Sequence, residues 1–517
     1  MAAFILSGCN PSNTDPGARS TSNQNQFDFP ADSHLSPEEL AKSYCGSCHL
    51  FPQPELLAKE QWQDGVLPNM GYRLGVKSAT QSPYKDMSFK ETAILQKAGI
   101  FPSQPLISDK NWDQIVSFYL DRAPDKLPIV EISEVDQSLR LFKPAPIFLG
   151  GRAQPLITML VYQDSKIYVG DRRGYLYLIN MEDNKVDSLF LGFPPSDLAR
   201  SRDSTLTVLT LGAMDPNDLS QGELIKLFPS DNNHWTAETL VPNLPRPVHF
   251  SYADLNNDNK DEVIVCSFGN QMGRISWYEY LNNDTWTEHI LKPVPGAIRS
   301  EVYDFNKDQL LDIMVMFAQG DEGITIFYNQ GDGTFTESRV LRFHPVFGSS
   351  DFNLVDFNND GLMDLACTNG DNADYSYSLK PYHGLRVYLN KGGDQFEETY
   401  FYPMDGASKV ETADFDLDGD FDLAVISFFP DFTKPELESF VFLENQGNGK
   451  FEPKSFPDAA GGSWLVMERG DIDKDGDEDL LLGSFTLRVT PTPDTIQELF
   501  KANNWKVLIL ENTTINP

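Results

Sequence analysis

Asp414-Phe-Asp416-Leu-Asp418-Gly419-Asp-Phe-Asp422, followed at once by Leu-Ala-Val-Ile426, sets an acidic loop against an apolar strand. Side-chain oxygens at positions one, three and five, a turn residue at six, a backbone carbonyl at seven and a carboxylate at nine can wrap one hard cation. That is the ligand chemistry of calcium. The loop shares its first half with an EF-hand but lacks the acidic residue at position twelve, and a strand stands where the EF-hand has a helix. The pattern recurs four more times, at Asp254, Asn256, Asp258 and Glu262; Asp304, Asn306, Asp308 and Asp312; Asp356, Asn358, Asp360 and Asp364; and Asp471, Asp473, Asp475 and Asp479. With Asp414, Asp416, Asp418 and Asp422 these are the candidate ligands for up to five Ca2+. Asn259 and Gln309 stand at position six, where glycine fits best, so those two loops are expected to bind more weakly.

The first aspartates are about 50 to 58 residues apart, a period of the size expected for propeller blades. Downstream, Asn329-Gln-Gly-Asp-Gly333, Asn390-Lys-Gly-Gly393 and Asn445-Gln-Gly-Asn-Gly449 read as hairpin turns whose residues supply positive φ. Lys166 to Ile179 and Leu206 to Leu227 each read as strand, turn and strand without the acidic loop. They count as two degenerate blades. The expected fold is an all-β propeller of about seven blades over residues 140–517, closed by pairing Lys506 to Leu510 with an early strand. Acidic loop, strand and glycine-rich hairpin together resemble the FG-GAP/VCBS repeats of integrin-like propellers over about residues 245–517.

Ser36-Pro37-Glu38-Glu39 is a helix start: a serine cap, proline at the first helical position and a glutamate to complete the capping box. The helix runs into Cys45-Gly46-Ser47-Cys48-His49, the C-x-x-C-H of c-type haem attachment. Two thiols spaced to reach two vinyl groups and a histidine one step on to meet the iron give that pattern its meaning. A zinc site would need two more ligands nearby, and a thioredoxin-like pair would need a βαβ setting. Trp112, Ile115, Val116 and Tyr119 mark an amphipathic helix that Ala123-Pro124 stops.

A helix before the haem motif and another at the domain's end resembles a small all-α, class I cytochrome c over residues 35–135. Trp62 to Gly75 resembles the cytochrome domains that precede FG-GAP-type repeats in bacterial exported proteins. In that resemblance Met70 is the distal iron ligand, with Met87 its alternative. Thioether ligation would suit electron transfer by one haem c.

Leu6-Ser7-Gly8-Cys9 resembles a bacterial lipobox, which makes Cys9 a candidate lipidation site in residues 1–9. Met1 to Gly8 holds no Lys or Arg and is shorter than a signal peptide, so the true start is expected further upstream. Residues 10–34 have the Ser, Asn, Asp and Pro content of a tether. An exported protein, periplasmic or on the cell surface and anchored to the outer membrane only by lipid, is the expected setting. A net charge of −35 over 517 residues excludes nucleic acid as a partner, since that affinity rests on Lys and Arg. Five cysteines are too few for a disulfide scaffold, and Cys266 and Cys367 read as buried free thiols.

Counting back from each loop, the fifth residue before the first aspartate is His249, Arg299, Asp351, Lys409 or Val466, and the third is Ser251, Glu301, Asn353, Glu411 or Glu468. Alternation with apolar residues puts both rows on one strand face. His249, Arg299, Asp351 and Lys409 are therefore the candidate ligand site at a channel mouth. The leading reading is electron transfer, with the propeller docking a redox partner protein. The alternatives are an oxidoreductase whose propeller passes electrons from a small-molecule substrate to the haem, and a calcium-stabilised adhesion or glycan-binding module. No flavin, nicotinamide or hydrolase motif identifies catalytic residues.

Overall fold

The structure is a computed structural model that describes residues 32–78, 82–130, 135–151, 153–183, 185–200, 205–230, 234–281, 285–372, 377–447 and 449–515. Cys9 lies outside the described residues, as do the expected lipobox and most of the expected tether. The chain divides into two compact units, Met1–Pro128 with His344–Val346, and Ile129–Phe343 with Phe347–Pro517.

The N-terminal unit is helical. Helix α1 (Pro37–Cys45) starts on the capping box read from the sequence: Glu39 N–H donates to Ser36 Oγ at 3.4 Å and Ser36 N–H to Glu39 Oε2 at 2.9 Å. A π-turn, Gln61–Val66, leads into α2 (Leu67–Arg73). Its cause is Pro68, which lacks an N–H and crowds the preceding turn, so the backbone widens and Leu67 N–H reaches back to the Trp62 carbonyl. Helices α3 (Phe89–Ala98) and α4 (Asp109–Arg122) follow, and α4 ends at Ala123 as its sequence implies. The buried face of α4 is Asn111, Ile115, Phe118 and Tyr119, so Trp112 and Val116 sit at its margin rather than at its centre. Trp62 and Tyr119 pack at 4.3 Å between ring centroids within the core formed with Leu40, Leu57 and Ile115.

The second unit is a seven-blade β-propeller, every blade a four-stranded antiparallel sheet. Blades one and two, which lack the acidic loop, begin with Ile157–Gln163 and Pro195–Arg200. Blades three to seven begin with Pro247–Ala253, Ala297–Tyr303, Ser349–Val355, Ala407–Ala413 and Trp464–Gly470. In blades three to seven the second strand is buried along its whole length, which explains runs such as Val263-Ile-Val-Cys266: neighbouring blades cover both faces. Each fully buried Val, Ile or Leu there contributes about 1.5–3 kcal/mol. Cys266 and Cys367 are buried free thiols in two of these strands.

Every first strand carries a register shift after its first residue, between positions such as Ala297 and Arg299 or Ser349 and Asp351. In blades one, two and five the extra residue's hydroxyl hooks the next blade, whereas that of Ser408 in blade six donates to the Ile426 carbonyl of its own blade at 3.2 Å. Thr158, Ser196 and Ser350 donate to the carbonyls of Pro195, Pro247 and Ala407 at 2.8–2.9 Å. The ring closes by pairing the last strand, Val507–Asn512, with Phe142–Ile147, so blade seven is built from both ends of the propeller sequence. A helix between them, Asp494–Asn503, had no counterpart in the sequence reading.

The hairpin asparagines do not supply positive φ; the glycines after them do. Asn329 is instead a buried anchor, 1% exposed, whose Nδ2 donates to the Leu255 carbonyl of the previous blade at 2.7 Å. Within the acidic loops two positions are left-handed. Position six is Asn259, Gln309, Gly361, Gly419 or Gly476, and position four is Asn257, Lys307, Asn359, Leu417 or Lys474. A side chain at positive φ costs about 1–2 kcal/mol, partly offset by glycine's greater freedom when unfolded. Gln309→Gly is therefore expected to raise stability to urea by roughly 0.5 kcal/mol and Gly361→Ala to lower it by about 1 kcal/mol. Unfolding titrations in chelator test both signs.

Candidate functional site

Three groups of residues carry chemistry. The first is the thiol and imidazole motif after α1. Gly46 caps that helix in close contact: a Cβ there would lie 2.6 Å from the Lys42 carbonyl oxygen. The chain can therefore turn tightly between the two thiols. Cys48 is exposed and Cys45 half-buried, and burial pushes the Cys45 thiol up to about 11. His49 Nδ1 lies 3.0 Å from the Leu50 carbonyl. As donor to that oxygen, Nδ1 carries the proton, which leaves Nε2 as the ring nitrogen with the lone pair. Behind the motif, Tyr119 Oη donates to the Pro52 carbonyl at 2.9 Å and Trp62 Nε1 to the Pro54 carbonyl at 2.8 Å, fixing the chain after His49 to the core. Met70 lies on α2 and Met87 in the turn before α3, both half-buried.

The second group is the five acidic loops, each joining the first and second strands of its blade. Position nine is a strut in every one. Asp312 accepts from Phe305 N–H at 3.0 Å and Asn329 N–H at 2.9 Å. Asp364, Asp422 and Asp479 bridge the equivalent pairs, tying the loop to the end of the third strand. Glu262 accepts from Leu255 N–H and Asn256 Nδ2 instead, its longer side chain reaching only its own loop. Burial pushes Asp422 up to about 7 and Asp479 up to about 6.

Positions one, three and five converge. The carboxylate oxygens of Asp414, Asp416 and Asp418 lie within 4.8 Å of one another, as do those of Asp471, Asp473 and Asp475. Asp414 Oδ1 and Asp471 Oδ1 are buried with no hydrogen-bond partner. Two carboxylate oxygens left bare beside others of like charge fit a site built for a cation.

The third group lines the first strands. Asp197 of blade two accepts from His249 Nδ1 at 2.9 Å and from Phe250 N–H at 2.9 Å, while His249 Nε2 lies 3.0 Å from the Ser300 carbonyl. Both ring nitrogens thus face oxygens of neighbouring blades. Arg299 pairs with Glu301 at 2.8 Å and Asp351 at 3.1 Å, and Asp351 accepts from Val410 N–H at 3.3 Å. Lys409 and Arg469 approach Glu411 at 3.7 and 3.6 Å. The four residues expected to form a ligand site are thus drawn into one belt, each engaged with a neighbour, His249, Arg299 and Asp351 across a blade boundary. Asp197 escaped the sequence reading because blade two has no acidic loop from which to count. Burial raises the carboxyls of Glu411 and Glu468 above the ordinary range, with Asp351 adding to the rise of Glu411 and Glu411 to that of Glu468, against the pull of Lys409 and Arg299.

A profile of the family described as FG-GAP-like repeat matches residues 254–315 and 304–367, spanning the acidic loops of blades three to five. The chain therefore carries FG-GAP-like repeats within its seven-blade propeller. A crystal structure of BBS1N in complex with ARL6DN, soaked with mercury, superposes with a TM-score of 0.41 at 11% identity, covering 73% of this chain and 98% of that one.

Between the second and third strands of blade six, Phe428 and Phe429 pack with Leu156 and Phe485. Glu438 ends the same connection, 1% exposed, with Oε2 accepting from Asp431 N–H at 2.7 Å and Oε1 unpartnered. Burial, with Asp405 and Asp431 adding to it, pushes Glu438 from its ordinary value near 4.5 up to about 8. A carboxyl raised on folding favours the folded state fully at low pH and loses that contribution as pH climbs towards 8. Glu438→Gln is expected to match the shape of the parent's urea-stability profile below about pH 4.5 and to separate from it in the variant's favour up to pH 8. Profiles that stay parallel throughout would contradict this.

Proposed function

We propose that this protein is an exported, haem c-bearing electron-transfer protein whose calcium-braced propeller docks a redox partner. The observation that carries the reading is Cys45-x-x-Cys48-His49 at the end of α1, with His49 Nδ1 held by the Leu50 carbonyl and two thiols beside it that are not joined in a disulfide. Cys45 and Cys48 would hold the porphyrin by thioether links, His49 Nε2 would take the proximal iron position, and Met70, or else Met87, the distal one. Bound in this way, a haem supplies one-electron transfer. The protein's own part is to keep that group fixed. Tyr119 and Trp62 anchor the chain on the C-terminal side of the motif to the core, which limits reorganisation around the iron.

In the propeller, Asp254, Asp304, Asp356, Asp414 and Asp471 and their partners at positions three, five and nine would hold calcium, and the bare oxygens of Asp414 and Asp471 support this. A cation bound only by the folded ring stabilises it by mass action. Lipid attachment through Cys9 would place the protein at the outer membrane. Among the described residues no helix is long and apolar enough to cross a bilayer. An adhesion module would use the calcium loops equally well but leaves the paired thiols and His49 without a role.

Protein produced in a host with a c-type haem maturation system is expected to keep its haem through a denaturing gel. Cys45→Ala with Cys48→Ala should abolish that signal, and His49→Ala should leave haem attached but with an altered absorption spectrum. A colourless wild-type chain after such maturation would overturn the haem reading while leaving the propeller intact.

A further inference from the structure

The five acidic loops share one pattern but not one hydrogen-bonding state. In blades three, four and five the position-one aspartate is satisfied by its own loop. Oδ1 of Asp254, Asp304 and Asp356 accepts the N–H of position five at 3.0 Å, and Oδ2 accepts the N–H of position six at 2.8–2.9 Å. Position seven there is Lys260, Leu310 or Leu362, whose side chain offers no oxygen. In blades six and seven position seven is Asp420 or Asp477. The position-five N–H donates to position three, and Oδ1 of positions one and seven is left buried and unpartnered in both loops. Asp477 is 1% exposed, and the carboxylates of Asp475 and Asp473 face it.

Asp477 also holds the far end of the chain. Its Oδ2 accepts from Ile515 N–H at 2.9 Å. Just before this, Thr513 N–H donates to the Leu141 carbonyl at 2.8 Å, beside the strand that closes the ring, and Asn512 Nδ2 donates to the Phe415 carbonyl inside the blade-six loop at 2.8 Å. The two loops with bare oxygens therefore flank the segment on which closure depends.

We infer that Asp420 and Asp477 act as additional cation ligands, that the loops of blades six and seven are the tight divalent-cation sites, and that the cation in the blade-seven loop clasps the C-terminal segment to the closed ring. This rests on the calcium reading above. A fifth carboxylate in each loop adds charge where the other three have none, and ligand charge is a main determinant of affinity in such loops. With the cation in place Asp471 and Asp477 are neutralised together, and the Asp477 side chain is held where it can keep Ile515. Without it, like charges press the two aspartates apart and the hold on the segment weakens.

The test is calorimetric titration of Ca2+ into the chelator-stripped full-length protein, with hydrogen exchange followed at residues 513–515. Two sites are expected to bind at least roughly tenfold more tightly than the others. Asp477→Leu should remove one of them and abolish the calcium-dependent protection of 513–515. Asp420→Leu should remove the other and leave that protection in place. Leu362→Asp should add a third tight site, a gain that a folding defect cannot mimic. Five equal sites, two tight sites surviving in Asp477→Leu, or exchange at 513–515 that ignores calcium would each overturn the inference while leaving calcium binding standing. A wild-type chain that binds no calcium would overturn both.

Discussion

A buried carboxylate accepting two backbone N–H groups is the constraint on which the propeller depends. At position nine of four loops it joins the residue after the first aspartate to the asparagine that ends the third strand, so one side chain fixes three segments of a blade. Hydrogen bonds to a charged group are worth about 1.5–3 kcal/mol each. Two of these asparagines extend the tie outward: Asn329 reaches the loop of blade three, and Asn512 reaches that of blade six. Residues that look like turn punctuation are therefore the means by which one blade sets the position of the next.

The channel belt obeys the same economy. Asp197, His249, Arg299 and Asp351 are polar groups largely shielded from bulk water, and each finds a hydrogen-bonding or ionic partner on a neighbouring blade or strand. A belt whose members already hold one another is stiff, and a partner that used it would have to displace an existing contact. Within it burial and like charge raise the carboxyls of Glu411 and Glu468.

Much of this was legible in the chain because the repeat displays the same physics five times. The acidic loops, the apolar second strands, seven blades, the closing strand near Lys506 and the α1 capping box all follow from local pattern. Other features left no local signal. Leu417 and Lys474 sit at left-handed positions that neither residue favours, because the loop around them dictates the backbone. The register shift in every first strand is a property of pairing, not of composition, and the residues displaced there range from Val248 to Ser408. The π-turn before α2 could have been anticipated from Pro68 lying inside a helical run. Acidic residues at position seven were visible in two loops, but their meaning emerged only against the hydrogen bonds of the other three.

Blade seven takes three strands from one end of the propeller sequence and its outermost from the other, with Phe142 beside Asn512. The six preceding sheets each come from a continuous stretch and can assemble as the polypeptide lengthens. The seventh cannot, because its outer edge waits for the most distant contact in the domain, and long-range pairing of that kind is slow. Until it forms, the emerging chain presents open sheet edges at both ends of an incomplete circle. That interval is when this architecture is most exposed to pairing with the wrong neighbour.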